Sequence, residues 1–127
     1  FTDSVPWIGI PANHVTINAE AEMADEDSIW NYHRKLIALR KEYEVIADGG
    51  IEFLFQAVPD LFAYSRFGAG EEILVFNNLS GRELVLPEAV SLRGCSRLIG
   101  NYEDGHGESL VALRPYESVV YRVIKRK

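Results

Sequence analysis

The sequence predicts a mostly β fold, in which an N-terminal loop and one α-helix are followed by an antiparallel β-sandwich. Three observations predict it. Apolar residues recur at three- and four-residue steps over 25–43, about seven short β-rich runs separated by turn residues follow position 48, and helix and strand patterns never alternate as an α/β domain requires. The expected organisation is therefore 1–47, divided into loop 1–24, helix 25–43 and linker 44–47, and then a sandwich domain at 48–127.

The opening stretch carries Pro6, Trp7, Gly9, Pro11 and Asn13 with no sustained period, which reads as irregular loop. A free-standing domain rarely begins so, and a chain opening at Phe1 without an initiator Met reads as part of something longer. In the helix, Ile29, Tyr32, Leu36, Leu39 and Tyr43 form a stripe that Trp30, His33 and Ile37 widen into a broad apolar face. Asp25 is the expected N-cap. Glu26 and Asp27 at the start, and Arg34, Lys35, Arg40 and Lys41 toward the end, suit the helix dipole. A stripe with two large aromatics and three aliphatics, before that widening, must pack against something large.

After Asp48-Gly49-Gly50 the runs 51–57, 61–67, 72–77, 82–86, 96–99, 109–113 and 117–124 read as strands. Turns are expected at Pro59-Asp60, Gly68-Ala69-Gly70, Asn78 to Gly81, Pro87, Gly100-Asn101, Gly105-His106-Gly107 and Arg114-Pro115. In the last strand Val119, Tyr121 and Val123 make one strongly apolar face, while Ser118, Val120 and Arg122 make a mixed one.

Composition narrows the function. The 127 residues are 47% hydrophobic and 25% charged, and thirteen Lys and Arg against nineteen Asp and Glu leave a net charge of −6. That balance argues against nucleic acid as a partner, and the short Lys125-Arg126-Lys127 end does not change it. No apolar run approaches a membrane span and no signal pattern opens the chain, so no membrane partner is expected. Cys95 is the single cysteine, which fits a reducing, cytoplasmic setting and excludes an internal disulfide.

Candidate chemistry is sparse. His14, His33 and His106 lack metal-ligand spacing, and His33, on the helix stripe, reads as a packed core histidine. Glu103 to Glu108 gathers acids around two glycines but lacks the ligand order of a calcium loop, and reads as a solvated hairpin connection. Glu20, Glu22, Asp25, Glu26 and Asp27 could supply a carboxylate pair for glycoside hydrolysis, but read more simply as an exposed loop and helix start. Cys95 has nothing beside it in sequence to activate a thiolate, and Asn78-Leu79-Ser80 reads as a turn rather than a glycosylation acceptor. Among the aromatics, Trp30 is expected in the core, whereas Trp7 is open to a sugar-stacking role.

One ordered set of segments goes further. Phe1-Thr2 with Pro6-Trp7-Ile8, Ile17-Asn18, Ala24 to Ser28, Arg34 to Lys41, Phe62 to Arg66, Val75 to Ser80 and Leu113 to Glu117 with Val120-Tyr121 together resemble the end of the α-amylase superfamily. The branch is that of oligo-1,6-glucosidases, dextran glucosidases and trehalose-6-phosphate hydrolases. The resemblance implies that 1–47 closes a (β/α)8 barrel, with helix 25–43 its last helix, and that 48–127 is the C-terminal domain. It implies a retaining mechanism whose Asp nucleophile, Glu acid/base and second Asp all lie upstream. No catalytic, substrate-binding or metal residue is therefore assigned here, and no cofactor is implied. The implied partners are the N-terminal barrel of the same parent chain and that parent's oligosaccharide substrate, with this piece structural and inactive alone. The competing expectations are an independent carbohydrate-binding sandwich and a protein-interaction module that docks through the helix stripe.

Overall fold

The computed structural model describes residues 3–124, so Phe1-Thr2 and Lys125 to Lys127 lie outside the described residues. The chain divides into two compact units, 1–37 and 38–127, and the division falls within a helix.

In the first unit a single 3-10 turn, Ala12–Val15, precedes helix α1, Ala19–Ala24, and helix α2, Ile29–Glu42, begins. The expected loop 1–24 is thus partly helical. Asn18 caps α1, its side-chain oxygen accepting from Ala21 N at 2.9 Å. The main helix starts four residues later than the stripe predicts, and the cap is Ser28 rather than Asp25. Asp25 Oδ1 accepts from Asp27 N at 3.0 Å and closes a tight turn, while Ser28 Oγ accepts from Asn31 N at 3.2 Å. Glu26 and Asp27 accordingly precede the helix. Of the fourteen residues of α2 only Asn31 is buried.

The second unit begins in the last turn of α2. The expected linker 44–47 is helix α3, Glu44–Asp48, whose Val45 is buried. Seven strands follow: β1 Gly50–Leu54, β2 Leu61–Gly68, β3 Glu71–Asn78, β4 Leu84–Ser91, β5 Cys95–Gly100, β6 Ser109–Leu113 and β7 Ser118–Val123. They form a five-stranded sheet in the order β1-β2-β3-β7-β5 and a two-stranded sheet, β4-β6. All pairings are antiparallel. The expected sandwich is therefore present, its strands within a few residues of their predicted ends.

Turn chemistry explains most strand limits. Ala69 (φ 49°) and Gly70 (φ 80°) are both left-handed and join β2 to β3 in the two-residue hairpin such a pair favours. Pro87 is the exception, since it lies inside β4 rather than in a turn. Between Val85 and Val90 the register with β6 shifts, and a bulge on an edge strand is where a residue without an N–H is tolerated.

The core lies between the sheets. Leu61, Ala63, Phe76, Val119 and Tyr121 from the large sheet meet Leu86, Leu110 and Leu113 from the small one, with Leu92 completing the cluster. The alternation read in the last strand orients it: Val119 and Tyr121 enter this core while Val120 faces the other way. Phe76, Leu110 and Leu113 have no exposed surface, so nothing fills the gap if one is truncated. Phe76→Ala should cost about 3–5 kcal/mol, read as a lower urea midpoint of the 127-residue chain.

Candidate functional site

Residues of the first unit build an open groove of about 650 Å³, lined by Ile17, Ala19, Ile29, Trp30, His33 and Ile37. Ile29 is 83% exposed and Trp30 38%. The expected core roles of Trp30 and His33 are therefore not realised among the described residues: His33 is exposed, and Trp30 stays partly open with Arg34 Cζ 5.4 Å from its ring centroid. The physical reason is that a periodic stripe specifies an apolar face but not what covers it. A contiguous apolar surface of this kind marks a docking surface.

The groove has a rigid polar support. Asn31, buried in α2, donates from Nδ2 to the carbonyls of Asp25 at 2.7 Å, Glu22 at 3.1 Å and Met23 at 3.3 Å. Ser28 Oγ donates to Glu22 O, and Glu22 Oε2 accepts from Trp30 N at 3.2 Å. Four backbone and side-chain acceptors at the end of α1 are thereby used to fix the start of α2. Two of the five acids considered as a hydrolytic pair, Glu22 and Asp25, serve this junction, and Glu20, Glu26 and Asp27 are exposed. Among the described residues no group of three or more His, Cys, Asp or Glu is arranged to hold a metal ion.

Elsewhere the sequence candidates have structural partners. His14 Nδ1 lies 2.9 Å from Pro11 O in the 3-10 turn, and Trp7 is 94% exposed. Burial raises the Cys95 thiol above its usual range and Glu72 adds to the effect, which makes it a poorer nucleophile. Asn78 is buried, donating to Arg82 O at 2.7 Å and Arg114 O at 3.0 Å and accepting from Ser80 N at 3.0 Å, so its amide is committed to the turn.

The loop 103–108 is less solvated than its composition suggests. Arg97 donates to the carbonyls of Tyr102 and Glu103, and Arg114 donates to that of Asp104 at 2.8 Å. His106 turns inward and donates from Nε2 to Glu117 Oε2 at 2.7 Å. Glu117 is the group that sequence reasoning missed. An acid in a turn before a strand carries no periodic signal, yet this one is 2% exposed. Its Oε1 accepts from Arg114 N at 2.9 Å and Nε at 3.0 Å, and its Oε2 from Arg114 Nη2 at 2.8 Å. Burial alone would raise the carboxyl, but these bonds from Arg114 and that from His106 outweigh it and lower it to about 2.

Comparison with known proteins fits this geometry. Residues 1–49 match the α-amylase family's catalytic domain, covering the groove and α3. The chain is 39% identical to the trehalose-6-phosphate hydrolase of Bacillus subtilis and 36% identical to the oligo-1,6-glucosidase of Bacillus cereus. These alignments cover 98% and 97% of this chain but only 23% of either relative. The crystal structure of Bacillus licheniformis trehalose-6-phosphate hydrolase superposes with a TM-score of 0.82 at 37% identity, again over 98% of this chain and 23% of the other. The chain thus spans about a quarter of the length of the relatives it matches. It is similar over nearly its whole length to part of these hydrolases, and residues 1–49 carry its likeness to the α-amylase family.

The buried ion cluster generates a pH prediction. Because the folded value of Glu117 lies below its ordinary 4.5, its contribution is fully present above that pH and is lost as pH falls through about 2. At about 1.4 kcal/mol per unit this is on the order of 3 kcal/mol. Urea unfolding of Glu117→Gln should be weaker than wild type by roughly that amount at neutral pH, with the two curves converging toward pH 2.

Proposed function

We propose that this chain is the structural C-terminal part of a cytoplasmic glycoside hydrolase that cleaves α-glucosidic bonds of short oligosaccharides by a retaining mechanism, and that it is inactive alone. In this reading residues 1–47 close a (β/α)8 barrel, with α2 its last helix, and 48–127 form the C-terminal domain. Catalytic acids sit upstream, at the strand ends where barrel enzymes carry their sites. The partners are then the barrel of the same parent chain and its oligosaccharide substrate. The carrying observation is that the apolar face left open on α1 and α2 belongs to the residues that match a catalytic domain, while the sandwich has a core of its own. Burying that face at about 25 cal/mol per Å² makes α2 worth several kcal/mol to a barrel. No helix among the described residues is long and apolar enough to cross a membrane.

The separated chain should fail to hydrolyse p-nitrophenyl α-glucoside, whereas the full-length protein should turn it over; activity in the 127-residue chain would place the chemistry here instead. Calorimetric titration with maltose, isomaltose and trehalose tests the alternative, because saturable heat from the separated chain would favour a carbohydrate-binding module. Ile29→Asp gives a structural check. Within the 127-residue chain the residue is solvated and the change should stay within about 0.5 kcal/mol, while in the full-length protein it should cost about 2 kcal/mol, seen as a lower Tm.

A further inference from the structure

Trp7 stands 94% exposed between Pro6 and Pro11, two residues that restrict the backbone on either side of it. The stretch around it is uncharged. In a chain with 25% charged residues, none of the sixteen from Ser4 to Ala19 is Asp, Glu, Lys or Arg. Its polar side chains beyond Pro11 are neutral ones, Asn13, His14, Thr16 and Asn18. His14 Nδ1 lies 2.9 Å from Pro11 O, and because a carbonyl can only accept, Nδ1 carries the proton and Nε2 of the neutral ring is an acceptor.

This stretch is tied to the start of α2. Thr16 N and Ile17 N donate to Asn13 O at 3.0 and 2.8 Å, and Asn18 Nδ2 donates to His14 O at 3.0 Å. Asn18 Oδ1 then caps α1, whose far end is held by Ser28 and Asn31. A run of hydrogen bonds therefore leads from Pro11 to the first turn of α2. In a (β/α)8 barrel each helix begins on the side where the preceding strand ends, and that side carries the chemistry. With α2 as such a helix, the residues before Ile29 lie on the catalytic side, within the stretch that matches a catalytic domain.

We infer that Trp7 stacks on an uncharged sugar ring of the oligosaccharide bound by the full-length protein, with the amides and the imidazole of the same stretch meeting its hydroxyls. A pyranose offers an apolar C–H face to an indole and a rim of hydroxyls to neutral donors and acceptors. A phosphate or carboxylate would find no Lys or Arg between Ser4 and Ala19. The inference rests on the function proposed above and adds the residue, and the uncharged class of ring, at that site.

Kinetics of the full-length protein and its Trp7→Ala variant test it, with p-nitrophenyl α-glucoside and with maltose, isomaltose and trehalose. For the substrates it cleaves, KM should rise about tenfold while kcat changes by no more than about threefold, and Trp7→Phe should recover most of the loss. A fall in kcat and Tm together, with KM unmoved, would make Trp7 a packing residue and overturn the inference. Hydroxyl-radical footprinting gives a second measurement, using sulfur-bridged analogues of the three disaccharides that resist hydrolysis. Trp7 of the full-length protein should label severalfold more slowly as one of them saturates. Full protection before any sugar is added would seat Trp7 on the protein, and protection by an analogue in the 127-residue chain would assign it to a carbohydrate-binding module; either result rejects the inference. Labelling that ignores every analogue, in a full-length protein that hydrolyses the glucoside, would overturn this inference and leave the proposed function standing. A full-length protein that hydrolyses no α-glucoside would overturn both.

Discussion

Apolar surface left in water is the constraint on which this chain turns, and it falls unequally on the two units. Unit 38–127 satisfies it between its sheets, where Phe76, Leu110 and Leu113 are wholly buried. Unit 1–37 does not. Its ordering comes from hydrogen bonds, with Ser28, Asn31 and the carbonyls at the end of α1 forming a polar knot, while Ile29 and the edge of Trp30 stay wet. Hydrogen bonds of this kind add only about 1 kcal/mol each, enough to set the angle of a helix start but not to replace a missing core.

The boundary between the units has two definitions that differ by about a dozen residues, from the end of the family match at 49 to the contact division after 37. Helix α3 lies between them. By sequence similarity it belongs with the catalytic domain, and by packing it belongs with the sandwich, where Val45 is 5% exposed. The contacts that hold this helix, Arg66 Nη2 on the carbonyl of Ala47 and Arg122 beside the ring of Tyr43, both fall inside unit 38–127.

What the sequence made legible follows from signal length. Strands of five to eight residues bounded by glycine, proline and asparagine repeat their period often enough to be seen, and all seven occur. Helix α1, at six residues, and α3, at five, are too short for a 3.6-residue period to declare itself. The sequence places the start of α2 too early because Asp25 and Ser28 are both competent caps, and only the folded chain shows that Asp25 is spent on its own turn. Pro87 reads as a turn because sequence does not distinguish an edge bulge from one. The stripe of α2 was legible as a face, and its partner was not. Glu117 is invisible for a different reason: its role depends on Arg114 folding back onto it across a turn and on His106, eleven residues away in sequence, turning inward.

That cluster also explains how a sandwich with only two strands in one sheet keeps its layers together. Asn78 ends β3, its N–H donating to Glu117 O at 2.8 Å and its side chain to the carbonyls of Arg82, before β4, and Arg114, after β6. Arg114 in turn holds the carboxylate of Glu117, which leads into β7. Asn78, Arg114 and Glu117 are therefore one connected network that ties two strands of the large sheet to both strands of the small one at a single end of the sandwich. A network of this kind is stabilising only while each member is satisfied, since a lost partner leaves a buried polar group without compensation. Protonating Glu117 weakens the joint at its centre, so acid should part the two sheets at this end first. The open face on α2 is ordered differently, by the hydrogen bonds of Ser28 and Asn31 at its edge, which involve hydroxyl, amide and backbone groups.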